Sequence, residues 1–136
     1  MDLNNLPYAD RKCAATLVTE ILLRTDLRRL AITVNDGEED TLIKSFDLGR
    51  VLEHMATTDW DYIKVYEQWG DGSWQRCGWF SLIYGNGGSE PIETISDYAW
   101  NPETEDLMES IYRNVELKLE GVELSLIHIS EPTRRS

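Results

Sequence analysis

Two runs of β-branched and aromatic residues, 61–67 and 75–84, flank the turn-forming segment Gly70-Asp-Gly-Ser73. This arrangement constrains the chain most, because it predicts an antiparallel hairpin. A second turn, Gly85-Asn-Gly-Gly88, leads past Pro91 into residues 92–98, the expected third strand of the same meander. Side chains alternate across a sheet, so Tyr62 and Tyr66 share one face while Ile63 and Val65 share the other. Likewise Trp79, Ser81 and Ile83 oppose Gly78, Phe80, Leu82 and Tyr84. Both faces therefore carry large groups, more than one helical layer needs to cover. Trp79, Phe80 and Ile83 are expected in the core.

Around the meander the period changes. Cys13, Leu17, Val18, Ile21 and Leu22 recur at steps of three and four, predicting an amphipathic helix over 9–24 with Asn4 or Asn5 as its cap and Pro7 in its first turn. Residues 30–34 alternate as a strand, and the turn Asn35-Asp-Gly-Glu-Glu-Asp40 returns the chain as a partner strand over 41–45. Asp47 can cap a short helix whose stripe is Leu48, Val51, Leu52 and Met55. Asn101, Pro102 and the acids after them have the composition of a helix start, and Leu107, Met108, Ile111, Tyr112, Val115 and Leu119 continue its apolar stripe. The expected fold is α+β, in the order α-β-β-α-β-β-β-α. It has an antiparallel sheet of about five strands, a hairpin plus a three-stranded meander, with three helices mainly on one face.

Residues 124–134, Leu-Ser-Leu-Ile-His-Ile-Ser-Glu-Pro-Thr-Arg, match one reading frame of a transposase-type sequencing-library adapter. Residues 124–136 are therefore read as an artefactual tail, and residues 1–123 as a single acidic domain whose native C-terminus is missing. Any strand drawn over 124–129 is expected to be accidental. Setting the tail aside removes Glu131, Arg134 and Arg135, so the net charge moves from −12 to −13. Such a balance repels phosphates and attracts basic surfaces, which disfavours direct nucleic-acid binding. The pairs Arg11-Lys12 and Arg28-Arg29 are too sparse for a nucleic-acid footprint. No signal peptide opens the chain and no apolar run approaches membrane-spanning length, so the expected location is the cytoplasm, without membrane attachment. Cys13 and Cys77, the only cysteines, lack metal-ligand spacing and are expected to be reduced there, with a disulfide between them left open.

No catalytic motif emerges. His54 is the only histidine outside the tail, and no nucleophile or metal partner stands at a meaningful spacing from it. Glu38, Glu39 and Asp40 offer oxygen ligands but lack the alternation and closing glutamate of an EF-hand loop, which favours a solvated turn. Gly85-Asn-Gly-Gly88 precedes a strand rather than a helix and has no nearby lysine, so it reads as a turn and not as a phosphate cradle. No metal or cofactor is expected. The aromatic density is the feature that points to binding, because Trp and Tyr give large contact area at low entropic cost. Trp69 and Trp74, flanking the 70–73 turn, are the candidate exposed contacts. Tyr62 and Tyr66 join them, with Glu38, Glu39 and Asp40 as the acidic element.

The segments Ile32-Thr-Val-Asn-Asp-Gly-Glu-Glu39, Thr58-Asp59, Gly78-Trp79, Leu82-Ile-Tyr-Gly-Asn86 and Ile95-Ser-Asp-Tyr98 resemble small, acidic, uncharacterised proteins of bacteriophages and other mobile elements. The resemblance implies no catalytic residue and no ligand. The expected function is a non-enzymatic binding protein, a phage accessory protein in the bacterial host cytoplasm that engages a basic host protein through an acidic and aromatic surface. The alternative is a domain binding a planar or nucleotide-like small molecule, stacked on Tyr62, Tyr66, Trp79 and Tyr84.

Overall fold

The computed structural model describes residues 3–26 and 28–121; the adapter-like tail lies outside the described residues. The elements are α1 (Tyr8–Leu22), β1 (Leu30–Asn35), β2 (Asp40–Ser45), α2 (Leu48–Glu53), β3 (Trp60–Gln68), β4 (Trp74–Ile83), β5 (Ile95–Trp100) and α3 (Glu105–Leu119). The strands form one antiparallel sheet in the order β2-β1-β3-β4-β5. This is the expected α+β order, with short 3-10 turns added at Leu3–Asn5, Pro91–Thr94 and Pro102–Thr104.

The helices lie on one face because each presents an apolar stripe at helical spacing. Cys13, Ala14, Leu17, Val18 and Ile21 of α1, Val51 of α2, and Leu107, Met108, Ile111 and Val115 of α3 are buried. They meet Ile32, Val34, Ile63, Val65, Phe80 and Leu82 from the sheet in one core. Each fully buried Leu, Ile or Phe contributes about 2 kcal/mol of transfer free energy. Phe80, with none of its surface exposed, is the largest of the fully buried side chains. Glu20 ties α1 to α3 by accepting from Lys118 Nζ at 2.8 Å, Asn114 Nδ2 at 3.0 Å and Arg24 Nη1 at 3.4 Å. Three donors around one carboxylate make that burial tolerable.

Local expectations needed correction at four points. Neither Asn4 nor Asn5 caps α1; Pro7 stands at the cap with no side-chain bond, and both asparagines belong to the preceding 3-10 turn. Asn101 likewise makes no cap bond, because its amide donates to Arg76 O at 2.8 Å and a 3-10 turn separates it from α3. β5 begins at Ile95, since residues 91–94 wind into the turn that Pro91 opens. Ile83 is 37% exposed and Trp79 only half-buried, so of the three expected core residues Phe80 alone is fully enclosed. Asp47 does cap α2, accepting from Arg50 N at 3.1 Å.

Candidate functional site

The sheet face opposite the helices carries the aromatic excess. Along β3, Asp61, Ile63 and Val65 turn inward, so Trp60, Tyr62, Lys64, Tyr66 and Gln68 turn outward. Their partners on β4 are Ile83, Ser81, Trp79, Arg76 and Trp74, in that order. The last two share this face only because of a bulge. Val65 pairs with Gly78 but Tyr66 pairs with Arg76, so Cys77 is an extra residue that resets the alternation. Without it, Trp74 and Arg76 would face away from Trp79.

The rings form a stripe along this face. Trp60 lies 4.7 Å from Tyr62, and Tyr62 meets Trp79 edge-on at 5.2 Å, both spacings of favourable aromatic pairs. The indole N–H of Trp60 donates to Ser81 Oγ at 2.7 Å, fixing that end. Toward the other end, Phe46 packs on Trp74 at 5.6 Å. Cations interleave with the rings: Lys44 Nζ sits 4.7 Å over Tyr66 and the Arg29 guanidinium 4.3 Å over Phe46, both within cation–π range. Lys44 reaches Tyr66 from a bulged stretch of β2 and has a left-handed backbone, φ 46°. Its N–H donates to Thr33 Oγ1 at 2.9 Å, which holds that costly conformation.

The acidic element lies at the Trp60 end. Asp40 accepts from Asn35 Nδ2 and from Lys64 Nζ, each at 2.9 Å. The Asn35 amide first, and the Lys64 ammonium second, hold its carboxyl below the usual range. Asp36 accepts from the N–H groups of Glu38 and Glu39, which folds the tip onto itself and leaves the Glu38 and Glu39 carboxylates in solvent. Among the described residues no group of three or more His, Cys, Asp or Glu is placed to hold a metal ion. Trp69 and Trp74 mark the opposite end. Trp69 is 53% exposed, whereas Trp74 is half-buried under Phe46. Arg28 is clamped there by Glu67 at 2.5 and 2.8 Å. Of the expected site residues, Tyr62, Tyr66 and Trp74 share this face, with Glu38, Glu39 and Asp40 at its Trp60 end and Trp69 in the turn beyond its other end. The sequence reading missed the cations Lys44, Lys64 and Arg76 between them, since their convergence depends on strand register and two bulges.

Tyr84 does not belong to this face. It is buried on the helix side, where its hydroxyl donates to Asp61, so it offers no stacking surface. Asp61 is fully enclosed; Oδ2 also accepts from Ala56 N at 2.8 Å, while Oδ1 has no hydrogen-bond partner among the described residues. Burial raises its carboxyl above the ordinary value of 3.8, against the lowering effect of the Tyr84 and Ala56 bonds. The folded protein therefore holds this proton more tightly than the unfolded chain. The resulting penalty is absent at pH below the ordinary value, grows as pH rises above it and levels off above the folded value. Asp61→Asn cannot ionise, so its stability relative to the parent is expected to improve as pH is raised above the ordinary carboxyl value in urea titrations. A pH-independent difference would contradict the assignment.

The remaining reactive groups are occupied or shielded. His54 closes α2 and its Nδ1 lies 2.8 Å from Arg50 O, with no carboxylate partner among the described residues. Cys13 and Cys77 are free and buried; burial pushes their thiols up to about 12 and about 11. Both are therefore protonated at neutral pH and poor nucleophiles. No helix among the described residues is long and apolar enough to cross a membrane. No protein-family model, curated protein or solved structure matches the chain.

Proposed function

We propose that this is a non-enzymatic binding protein that docks a partner protein on the open aromatic face of its sheet. The observation that carries the reading is the half-buried stripe of Trp60, Tyr62, Trp79, Tyr66 and Trp74 on the sheet face that no helix covers, with acids at one end and cations interleaved toward the other. Rigid rings with few rotatable bonds are favoured binding anchors, and a stripe with opposite charges at its ends fixes the orientation of a complementary surface. The partner that fits is basic opposite Glu38, Glu39 and Asp40. Together with the resemblance to phage-encoded proteins, this supports a host-directed accessory role in the bacterial cytoplasm.

Affinity capture from bacterial lysate at about 0.15 M salt, with the protein and its Tyr62→Ala/Trp79→Ala variant as baits, tests the reading. Loss of two central anchors of about 2 kcal/mol each is expected to reduce recovery of the specific partner by at least tenfold. Equal recovery by a folded variant, or no specific partner with either bait, would overturn it.

A planar small molecule is the second reading, favoured by the shallow depression of about 220 Å³ between Tyr62, Lys64, Arg76 and Trp79. Ligand pockets usually enclose ~300–1,000 Å³, so a planar ring would stack on this surface instead of being engulfed. The extended stripe therefore favours the protein partner.

A further inference from the structure

A second surface lies on the other side of the sheet, at its edge. β5 pairs with β4 on one side, and among the described residues no strand pairs with its other side. Tyr98 N–H donates to the carboxylate of its own neighbour Asp97 at 2.8 Å, so it points away from β4. Backbone direction alternates along an antiparallel strand, which gives Trp100 the same outward parity as Tyr98. The side chains of these two residues, paired with Phe80 and Gly78, lie on the helix side of the sheet, opposite the aromatic stripe.

There they form a groove against α3. The rings of Tyr98 and Trp100 stack at 4.4 Å, nearly parallel with 8° between their planes, and Tyr112 stands 5.2 Å from Tyr98. Trp100 is anchored below by Phe80 at 6.0 Å, while Tyr98 remains 45% exposed. The groove has a volume of about 380 Å³, and Glu109 and Glu116 stand on its helical wall beside Arg113. Glu105 and Asp106 add negative charge at the exposed start of α3, and Lys118 is engaged by Glu20. Aromatic faces beside free carboxylates suit a lysine or arginine side chain, whose stem lies on the rings while its charge meets the acids.

We propose that the groove between β5 and α3 binds an extended basic peptide, which adds to β5 as a sixth strand and lays alternate Lys or Arg side chains over Tyr98, Trp100 and Tyr112. Strand addition at an exposed edge takes affinity from main-chain hydrogen bonds and specificity from pockets for every second side chain. Both components are present, and the acidic wall selects the charge. Asp97 occupies the Tyr98 N–H in the free protein and swings aside when the peptide backbone replaces it.

Fluorescence anisotropy with the full protein and a labelled peptide of alternating lysine and valine tests this. Saturable binding is expected, with binding at least tenfold weaker for the glutamate–valine counterpart. Methylating the backbone of the lysine–valine peptide at alternate amides is expected to weaken binding about tenfold in one of the two registers. Glu109→Gln/Glu116→Gln, at one exposed and one half-buried position of the helical wall, should cost about tenfold with an unchanged far-ultraviolet circular dichroism spectrum. No saturable binding, indifference to backbone methylation in both registers, or indifference to the double substitution would overturn the proposal. So would a β5-to-β5 dimer in sedimentation runs at the same concentration, because a second copy would then be the occupant.

Discussion

Asp10→Ala is expected to destabilise the protein by about 3 kcal/mol, measured by urea unfolding at neutral pH. The Asp10 carboxylate is 1% exposed and accepts from Gly85 N at 2.9 Å, Gly87 N at 3.2 Å and Thr94 Oγ1 at 2.6 Å. It thereby pins the β4–β5 connection onto α1. Removal strands the buried donors of Gly87 and Thr94, each costing about 1–3 kcal/mol unless water enters, while Gly85 can turn to solvent. Gly87 permits the arrangement, since a Cβ there would stand 2.5 Å from Thr94 Oγ1 and 2.8 Å from Asp10 Oδ1. Asp10→Asn keeps one acceptor oxygen and should lose less. Equal stability of the parent and Asp10→Ala would show that the connection does not depend on this carboxylate.

Gly78→Ala is expected to be comparably harmful, for the opposite reason. A Cβ at Gly78 would lie 2.4 Å from Ala99 O, 2.7 Å from Trp100 Cβ and 2.9 Å from Trp100 Cα. Two of these atoms are backbone and the third, Trp100 Cβ, is fixed to it, so no flexible side chain can swing away; β5 itself must move. Overpacking of this kind costs about 3 kcal/mol, which corresponds to a Tm lower by roughly 10 °C. Trp100 forms the floor of the β5–α3 groove, so the same substitution should weaken basic-peptide binding beyond its effect on stability. A near-ultraviolet circular dichroism spectrum and Tm matching the parent would contradict the close-packed β4–β5 pair.

The pattern of what was legible follows from the range of the interactions involved. Periodicity at short range placed α1 through Cys13, Leu17, Val18 and Ile21, and α3 through Leu107, Met108, Ile111 and Val115. The glycine-rich turns placed the strand pairs. Asp47 was readable as a cap because its partner, Arg50 N–H, is three residues away. Asn101 was not, because the contact that orients its side chain, Nδ2 donating to Arg76 O, is distant in sequence. Asp10 shows the same limit: nothing near it in the chain reveals that its carboxylate will close a loop beginning at Gly85.

The candidate site divides in the same way. Alternation in β3 put Tyr62 and Tyr66 on one face, and turn chemistry put Trp69 and Trp74 at the hairpin end. Alternation could not say which face the helices would cover, which is why Ile83 was expected inside and Tyr84 was assigned to the stacking surface. The bulge at Cys77 was equally invisible, yet it brings Arg76 and Trp74 onto the face of Trp79. The bulged path of β2, which sets Lys44 over Tyr66, is likewise a property of the paired strands. An acidic chain thus presents a local band of cations among its aromatic rings, a feature that net charge conceals.

Hydroxyl-radical footprinting of the protein alone and bound to its captured partner distinguishes the two faces of the sheet. Tyr62, Tyr66, Trp74 and Trp79 are expected to become protected together in the complex, because they share the sheet face that no helix covers. Unchanged modification at these four residues, with protection confined to Tyr98, Trp100 and Tyr112, would contradict it and place the partner-binding surface on the helix side of the sheet.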